Sequence, residues 1–351
     1  MRIVVVGATG NVGTALLRAL ADEPAVDSIL GVARRLPETS PAKTDWAAAD
    51  IASHALEPLF RDADVVVSLA WRIQPSRRLN ELWQTNVHGS TRVFEAAARA
   101  GVGALVYASS VGAYAPGPKD RRVDESWPVE GVPTSFYARH KAEVERRLDR
   151  FEREQSKLRV VRLRPALIFQ RASAQEQRRL FAGPFVPTSL LRKGLLPVVP
   201  AVRGLRFQAV HADDVADAYR RAIVGEARGA FNVAGEPVLE ADSFATALDA
   251  RPVPISPRLL RVGMDLGWRL RLQPSQPGWL DMGMKVPLLD ASRAKSELGW
   301  EPRHDALDTL RELLEGIRTG AGAETPPLDP DAGGPLRARE LGTLAGTRED
   351  T

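Results

Sequence analysis

Apolar and polar positions follow two alternating patterns over the first half of the chain. Near-continuous apolar runs predict strands, the third of them weak, at residues 2–7, 28–33, 45–51, 64–70, 104–109 and 158–168. Apolar residues spaced three and four apart predict helices at residues 11–21, 77–100 and 136–157. Apolar strands without strict alternation are typical of a parallel sheet that is covered on both faces. The pattern therefore predicts an α/β fold built on a doubly wound, mostly parallel sheet.

The periodicity changes after residue 169. Residues 170–206 carry several prolines and lack a clean period, whereas residues 211–239 again contain a helical pattern and a short strand. From residue 320 onward the chain is rich in Gly, Pro and small polar residues, which is typical of a loosely packed segment. We therefore predict three units: residues 1–169 with 211–239, residues 170–210 with 240–318, and a flexible tail over residues 319–351.

Composition narrows the chemistry that this fold can carry. The 351 residues include no cysteine, which excludes disulfides, thiolate zinc sites and a thiol nucleophile, and we predict no metal centre. The net charge of +4 is small and the arginines alternate with acidic residues, so no nucleic-acid partner is expected. No apolar run approaches the roughly 18 residues of a spanning helix, and the N-terminus lacks signal-peptide features. A cytoplasmic protein with no membrane partner is the resulting expectation.

Three glycines recur at every third position directly after the first predicted strand. They are Gly7, Gly10 and Gly13, and they lead into the first predicted helix. A backbone without side chains can approach a diphosphate closely, and the free N–H groups at a helix N-terminus bind its charge. Because strand, turn and helix occur in the order that such a motif requires, the loop predicts dinucleotide binding. A tight turn without a ligand is the alternative.

Tyr137 and Lys141 stand four residues apart at the start of the predicted helix 136–157. This spacing places both side chains on one helix face. A free tyrosine ionises at about pH 10, and a neighbouring ammonium stabilises the phenolate and lowers that pKa. Tyr137 can then exchange a proton with a substrate hydroxyl or carbonyl. Taken alone, the Tyr-x-x-x-Lys pattern also occurs by chance, so the pair needs support from elsewhere in the chain.

That support comes from a family resemblance that covers most of the chain. The chain resembles the extended short-chain dehydrogenase/reductase family, the NAD-dependent epimerase/dehydratase group. The features that carry the resemblance are the glycine loop, the Tyr137–Lys141 pair and the segments 85–97, 210–218 and 292–304. The resemblance runs from residue 2 to about residue 317. It implies a Rossmann-type fold in which the first unit binds the dinucleotide and the second binds the substrate.

The resemblance also implies a catalytic triad of Ser110, Tyr137 and Lys141, with Ser109 as the second choice for the serine. The serine hydroxyl would bind the reacting oxygen and Tyr137 would move the proton, while Lys141 would also hold the nicotinamide ribose. Asn86 holds the family's asparagine position and is assigned to the catalytic site. The alternative for Asn86 is a buried asparagine that binds a neighbouring loop.

The position of the cofactor follows from the same resemblance. Asp50 matches an aspartate that contacts the adenine, and Ile51 would pack near it. The second strand ends in Arg34 and Arg35 with no acid, which favours NADP over NAD unless these arginines are merely exposed at a strand end. The expected cofactor-binding residues are Gly7, Thr9, Gly10, Asn11, Val12, Gly13, Arg34, Asp50, Ile51, Leu69, Ala70, Tyr137 and Lys141.

Departures from the family pattern bear on the substrate. Leu167 stands where nucleotide-sugar enzymes of the family often carry an asparagine, and Phe207 stands where many carry an arginine, with Arg206 one place away. These changes disfavour a nucleotide sugar, and the lack of an acidic pair after the catalytic serine disfavours a dehydratase. Trp71 follows the fourth strand and would either line a pocket for an apolar or aromatic carbonyl compound or simply pack.

The sequence therefore predicts an NAD(P)-dependent oxidoreductase that transfers hydride to or from a secondary alcohol or ketone of a small molecule. The alternatives are a nucleotide-sugar epimerase that uses tightly bound NAD+ transiently and a non-catalytic NAD(P)-binding sensor. A homodimer through the helices 77–100 and 136–157 is the candidate assembly. Several other conspicuous residues are interpreted as core, joint or structural residues: Trp268, Trp279, Trp300, His211, Asp213 and Asp214.

Overall fold

The computed structural model describes residues 1–73, 77–182, 188, 191–273 and 275–334. Its strands are short and mostly buried. They are β1 (Arg2–Val6), β2 (Ser28–Ala33), β3 (Thr44–Ala48), β4 (Val65–Ser68), β5 (Ala104–Ala108), β6 (Arg122–Val123), β7 (Arg159–Pro165), β8 (Leu167–Phe169), β9 (Val198–Val202), β10 (Arg206–Phe207), β11 (Ala209–His211), β12 (Gly229–Val233), β13 (Leu239–Glu240), β14 (Arg251–Ile255) and β15 (Leu288–Leu289).

One large sheet organises the first part of the chain. Within the described residues it has seven strands in the order β12-β7-β5-β4-β1-β2-β3, and every neighbouring pair is parallel. Successive β1 side chains point to opposite faces, so Ile3 lies in one core and Val4 in the other. Burial of each such side chain contributes about 1.5–3 kcal/mol. The prediction of a doubly wound parallel sheet is confirmed.

Helices cover both faces of this sheet. Helices α1 and α7 pack together on one face, and α4 and α5 contribute to the core on the other. The helices are α1 (Asn11–Ala21), α2 (Glu57–Phe60), α3 (Leu79–Trp83), α4 (Ser90–Arg99), α5 (Phe136–Glu154), α6 (Ala174–Gln177), α7 (Ala212–Val224), α8 (Ser243–Leu248), α9 (Pro257–Arg269), α10 (Pro277–Lys285), α11 (Ser292–Leu298) and α12 (Ala306–Thr319). Among the described residues, no helix is long and apolar enough to cross a membrane.

A third core lies in the later part of the chain. It brings together Phe169, Phe207, Leu239 and Leu310, which belong to β8, β10, β13 and α12. Short pairs replace the large sheet here: β8 with β11 and β9 with β14 are parallel, and β10 with β13 is antiparallel. Strand β12 returns the chain to the edge of the large sheet beside β7. The exact boundaries between the predicted domains stay a prediction.

Two predicted elements are divided in the structure. The helix expected over 77–100 begins at Leu79 and changes to a π-helical turn over Gln84–Gly89 before α4. The strand expected over 158–168 ends at Pro165, after which β8 pairs with β11 outside the large sheet. Proline lacks the N–H group that a continuing ladder needs, which explains the break in the strand.

The segment predicted to be a flexible tail is packed in its first part. Thr319 ends α12, and Leu328 is fully buried. The Thr325 hydroxyl donates a 2.9 Å hydrogen bond to the carbonyl of Thr9 in the glycine loop. Residues 320–334 therefore contact the first domain, which corrects the prediction for this part. The remaining residues, 335–351, lie outside the described residues.

Candidate active site

A cavity of about 230 Å³ opens at the carboxyl ends of β1, β4 and β5. The strand order reverses between β1 and β4, and in open α/β sheets a ligand crevice forms at such a switch point. The cavity runs from the glycine loop to the predicted triad. Eight of the expected cofactor-binding residues line it: Gly7, Gly10, Asn11, Val12, Gly13, Leu69, Tyr137 and Lys141.

The glycine loop is shaped by close backbone approaches. Gly7 has a φ of +89°, and a Cβ atom there would lie 2.6 Å from the backbone nitrogen of Ala70. A Cβ atom on Gly13 would lie 2.5 Å from the carbonyl oxygen of Ala8. Helix α1 begins after Gly10, and no side chain within the described structure caps it. Its first N–H groups are therefore available to an anion, which fits the diphosphate of a dinucleotide.

The remaining expected cofactor residues do not line the cavity. Arg34 lies exposed just after β2, and the Asp50 carboxylate accepts a 2.8 Å hydrogen bond from the Ala52 backbone. Ile51 is buried against Gly89, so its side chain belongs to the core. Thr9 and Ala70 are backbone neighbours of the loop: Thr9 accepts from the tail, and Ala70 packs on Gly7. These five residues lie at the carboxyl edge of the sheet, where a bound dinucleotide can extend beyond the cavity.

Tyr137 is placed by the start of α5. The Ser135 hydroxyl caps this helix by accepting a 3.3 Å hydrogen bond from the Ala138 N–H, so Tyr137 lies in the first turn. Its hydroxyl is hydrogen-bonded to Ser110, which lowers its pKa, but burial dominates and raises the pKa of Tyr137 to about 12. The phenol is therefore protonated at neutral pH. It is ready to donate a proton, and it becomes a base only if nearby positive charge lowers its pKa.

Ser110 is held at the end of β5 by a short 3-10 turn. Its hydroxyl accepts a 3.0 Å hydrogen bond from the Gly112 N–H, and it lines the cavity. A side chain at Gly112 would collide with the ring of Tyr137, since a Cβ atom there would lie 2.9 Å from a ring carbon. Glycine therefore allows the turn and the tyrosine ring to approach each other. Ser110 and Tyr137 meet as the sequence predicted.

Lys141 lies one helical turn after Tyr137 and is buried. Its Nζ donates a 2.6 Å hydrogen bond to the carbonyl of Ala108 and lies 3.6 Å from the centre of the Trp71 ring. Burial lowers the pKa of Lys141 to about 7, against the opposing effect of the Glu145 carboxylate. The Lys141 ammonium thus sits 5.9 Å from the centre of the Tyr137 ring, close enough to influence the phenolate.

Glu145 anchors the catalytic helix to the sheet and was missed by the sequence reasoning. It accepts hydrogen bonds from Arg164 and Arg162 of β7, at 2.8 and 2.9 Å. Burial opposes its ionisation, but the Arg164 guanidinium leads the favourable contacts that lower the pKa of Glu145 to about 2. Ser109 donates a 2.5 Å hydrogen bond to the same carboxylate. The second-choice serine is therefore engaged in this network, which favours Ser110 as the catalytic serine.

Asn86 does not line the cavity. Its side-chain oxygen accepts from the Arg72 N–H at 2.7 Å and its amide nitrogen donates to the Arg72 carbonyl at 2.9 Å. Both ends of the amide are thus bound to the segment that follows Trp71. This geometry matches the alternative of a buried asparagine that binds a neighbouring loop, and the catalytic role of Asn86 stays a prediction.

Aromatic residues from distant parts of the chain complete the cavity lining. Trp71 lines the cavity, which is one of the two alternatives that the sequence left open, and its ring lies 5.8 Å from that of Tyr137. Trp279, interpreted from the sequence as a core or joint residue, also lines the cavity, with its ring 5.2 Å from Tyr137. Trp300, by contrast, is fully buried and donates to the Asp214 carbonyl. Further lining residues that the sequence did not reveal are Glu176, Gln177, Leu180, Phe181, Tyr219 and Met282.

Glu176 is the one carboxylate among the described lining residues. Burial raises the pKa of Glu176 to about 7, although Arg179 opposes the shift. No described residue donates a hydrogen bond to it. A carboxyl group in this state can accept a proton or a hydrogen bond from a ligand, and it disfavours an anion in the same space.

His211 caps α7 by accepting from the Asp213 N–H at 3.1 Å, and its ring stacks on His304 with centroids 4.0 Å apart. Ligand atoms of these three residues lie within 4.8 Å of one another. Parallel rings direct their nitrogen lone pairs side by side, and Asp213 is paired with Arg18 at 2.7 Å. This arrangement suits the structural role predicted for His211 and Asp213 better than an ion site.

Several known proteins are similar to this chain in sequence. A 327-residue region is 29% identical to a longer protein of Mycobacterium tuberculosis, covering 92% of this chain and 31% of that one. The chain thus spans about a third of the length of these mycobacterial relatives. It is 28% identical over 332 residues to UDP-glucose 4-epimerase of Azospirillum brasilense, covering 88% and 89% of the two chains. A yeast sterol-4-alpha-carboxylate 3-dehydrogenase is 29% identical over 180 residues, 48% of this chain and 51% of that one.

Solved structures show the same fold. UDP-glucose 4-epimerase of Thermus thermophilus, in complex with NAD, superposes with a TM-score of 0.66 at 21% identity, covering 91% of this chain and 99% of that one. The model of the NAD dependent epimerase/dehydratase family matches residues 3–234, which include the glycine loop and the triad. The chain therefore belongs to the NAD dependent epimerase/dehydratase family of enzymes.

Proposed function

We propose that this enzyme is an NAD(P)-dependent oxidoreductase that acts on a secondary alcohol or ketone of an uncharged, largely apolar small molecule. The observation that carries the proposal is the meeting of Tyr137, Ser110 and Lys141 in the same cavity as the glycine loop. When bound, the dinucleotide supplies or accepts the hydride. The protein's own part is the movement of one proton.

In the reducing direction the substrate carbonyl becomes a hydroxyl. The carbonyl carbon gains the hydride with its electron pair, the C=O π bond breaks, and the carbonyl oxygen takes the proton of the Tyr137 hydroxyl. Ser110 holds that oxygen by a hydrogen bond, and the Lys141 ammonium stabilises the phenolate that remains. A tyrosine whose pKa is raised to about 12 begins in the protonated state that this direction requires.

The cavity wall supports an uncharged substrate. Lys141 is the single cation among the described lining residues, whereas a nucleotide sugar would bring a second diphosphate, away from the α1 N-terminus, that calls for cations. Leu167 lines the cavity, and Arg206 is bound to the Lys119 carbonyl and to Glu240 at 3.1 Å. Trp71, Trp279, Leu180, Phe181 and Met282 offer an apolar surface instead. The similarity to a sterol-4-alpha-carboxylate 3-dehydrogenase supports the apolar character of the substrate but not its lack of charge.

A second candidate, UDP-sugar epimerisation, is favoured by the similarity to an epimerase along nearly the whole chain. An epimerase of this type uses the same triad and keeps NAD+ bound between turnovers. Native mass spectrometry of the purified protein separates the two proposals. Retained NAD+ together with turnover of UDP-glucose would support the epimerase, whereas a free site that binds added dinucleotide would support the oxidoreductase.

The test of the oxidoreductase proposal is NADPH and NADH consumption with a panel of apolar ketones. Tyr137→Phe is expected to lower turnover by about 100-fold or more, since the proton donor is lost. Tyr107→Phe is the matched control, because its hydroxyl is buried, lacks a partner and lies outside the cavity lining. Equal turnover by wild type and Tyr137→Phe would contradict the proposal.

We also propose a preference for NADP(H), carried by Arg34 and Arg35 after β2, where an acid that repels the 2′-phosphate is absent. Arg34→Ala is expected to raise the KM for NADPH by about tenfold and to leave the KM for NADH unchanged. A preference that does not change on mutation would exclude this role.

The homodimer through α3, α4 and α5 and the cytoplasmic location stay predictions.

A further inference from the structure

Helix α9 presents its apolar residues to solvent. Within the described part of the chain it has no fully buried residue. Spacings of three and four residues place three large aliphatic side chains of the helix on one outward face, and two further leucines follow it. The exposed fractions are 74% for Leu259, 65% for Val262, 56% for Leu266, 58% for Leu270 and 52% for Leu272.

An outward aliphatic stripe of this length is unusual for a helix of a globular domain. A surface helix normally turns its apolar side to the core and its polar side to water. Contiguous exposed apolar patches rimmed by polar residues mark interaction surfaces. The five aliphatic residues and the arginines around them are called the α9 surface below.

The polar residues of the α9 surface are all basic. The exposed positions between residues 258 and 272 carry only Leu, Val, Gly and Arg, and the single acid of that range, Asp265, is half-buried. Asp265 is paired with Arg269, and Arg261 is paired with Asp281 at 2.8 Å. Within the described residues, no acid pairs with Arg258 or Arg271. Cationic charge therefore surrounds the aliphatic stripe.

Arg77 adds to this rim from another part of the chain. Its guanidinium lies 3.9 Å from the centre of the Trp268 ring and donates to the Trp268 carbonyl. Trp268, interpreted from the sequence as a core or joint residue, is therefore half-buried under an exposed arginine. The contact also ties α9 to the segment that follows Trp71 and Ile73, both of which line the cavity.

We propose that the α9 surface docks the protein onto an anionic lipid bilayer. An amphipathic helix with aliphatic residues on one side and arginines beside them lies in the plane of a membrane interface and is attracted by anionic lipids. A second copy of this chain fits the surface poorly, because two such faces would oppose arginine with arginine and offer no exposed acid. The sequence argument against a membrane partner rested on the lack of an apolar run long enough to span a bilayer. That criterion does not apply to a helix that lies on the membrane surface.

The docked orientation would place the bilayer near the cavity. Helix α9 packs against α10, to which the Arg261–Asp281 pair joins it. Trp279 and Met282 of α10 line the cavity on the side opposite the glycine loop. A lipid-soluble substrate would thus have a short path from the bilayer to Tyr137. The docking itself is independent of the reaction and is tested without a substrate.

Vesicle sedimentation of the full-length chain tests the proposal. The wild type is expected to sediment with vesicles that mix phosphatidylcholine and phosphatidylglycerol in equal parts. It is expected to bind much more weakly to vesicles of phosphatidylcholine alone. Added salt should weaken the binding to anionic vesicles, because it screens the arginines.

Paired variants separate the aliphatic and basic contributions. Leu259→Ser with Leu266→Ser is expected to weaken partitioning about tenfold on anionic vesicles, since two exposed apolar anchors are lost. Arg258→Gln with Arg271→Gln should cause a loss of about tenfold there and reduce the salt dependence. Leu36→Ser changes an exposed leucine after β2 and should bind as the wild type does. Because all these positions are exposed, unchanged melting temperatures identify variants that remain folded.

Three results would overturn the proposal. One is a wild type that fails to sediment with either vesicle. Another is equal sedimentation of the wild type and both paired variants. The third is a dimer, detected by analytical ultracentrifugation without vesicle binding and lost in Leu259→Ser with Leu266→Ser, which would assign the α9 surface to a second copy of the chain.

Discussion

A glutamate of α5 and a glutamate of the cavity wall differ in their hydrogen bonds and in the direction of their pKa shifts. Glu145, beneath α5, accepts hydrogen bonds from Ser109, Arg162 and Arg164, and its pKa falls to about 2. Glu176, in the cavity wall, has no described hydrogen-bond donor, and burial raises its pKa to about 7. The first carboxylate is part of the scaffold, whereas the second is half-buried, lines the cavity and accepts no hydrogen bond from a described residue.

The comparison distinguishes a residue that stabilises the site, Glu145, from a residue that can contact the ligand, Glu176. A carboxylate that is fully paired contributes to stability and fixes neighbouring groups. A carboxylate that is desolvated without a partner costs stability in the free protein, and such groups cluster at functional sites. The two residues therefore respond in opposite ways to substitution and to pH.

The largest effect is expected for Glu145→Gln. Removing this charge leaves two buried arginines without their shared anion, so the free energy of unfolding should fall by about 3–5 kcal/mol. Urea denaturation at neutral pH measures the loss. Glu143→Gln, on the same helix but paired with Arg146 and Arg147 near the surface, is the control and should cost about 1 kcal/mol or less.

The pH dependence of this loss has a definite sign. The pKa of Glu145 is lower in the folded protein than its ordinary value of 4.5, so its stabilising contribution is complete above pH 4.5. The contribution is lost as the pH falls from 4.5 through 2. The difference between wild type and Glu145→Gln should shrink over this range, and a constant difference would argue against an ionised Glu145.

The opposite response is expected for Glu176→Gln. The pKa of Glu176 in the folded protein, about 7, exceeds its ordinary value of 4.5, so stability decreases as the pH rises from 4.5 through 7. The variant removes this cost and should be about 2 kcal/mol more stable than the wild type at pH 8, after allowing for screening by water in the cavity. Thermal melting at pH 4 and pH 8 measures it. Glu130→Gln, at an exposed position, should show neither change.

A smaller effect distinguishes the adjacent serines. Ser109→Ala removes a donor from the Glu145 carboxylate and should cost about 1.5–3 kcal/mol of stability with little change in turnover. Ser110→Ala should cost about 1 kcal/mol, because the cap to Gly112 and the hydrogen bond to the Tyr137 hydroxyl are lost, but should lower turnover by about 100-fold. Stability and steady-state kinetics of both variants provide the check. The reverse result would make Ser109 the catalytic serine.

The residues that the sequence identified belong to elements with strong local rules. Each of these elements can be identified from one short segment of sequence. Examples are the glycine that lies against the Ala70 backbone, the strand of β-branched residues and the four-residue spacing on a helix. Ser110 could be placed because the family resemblance puts the serine at the end of a strand, and Tyr137 because Lys141 follows it four residues later on the same helix face.

The rest of the site depends on contacts between distant segments. Glu176 lies in a segment without a clean period and Trp279 in a separate later helix, so no local pattern indicated that they would meet Tyr137. Asn86 matched a motif, but its contacts with the backbone of Arg72 are tertiary and could not be derived from its helix. The exposed face of α9 has a helical pattern like any buried face, and only the tertiary structure shows that it points outward.

The most direct test of the central claim is the rate of NADPH oxidation with an apolar ketone, compared between the wild type and Tyr137→Phe after both are shown to bind NADPH equally. We predict that the variant retains NADPH binding and loses turnover by about 100-fold or more, because only the proton donor is missing. Equal turnover in the two proteins would contradict the assignment of Tyr137 as the acid–base residue.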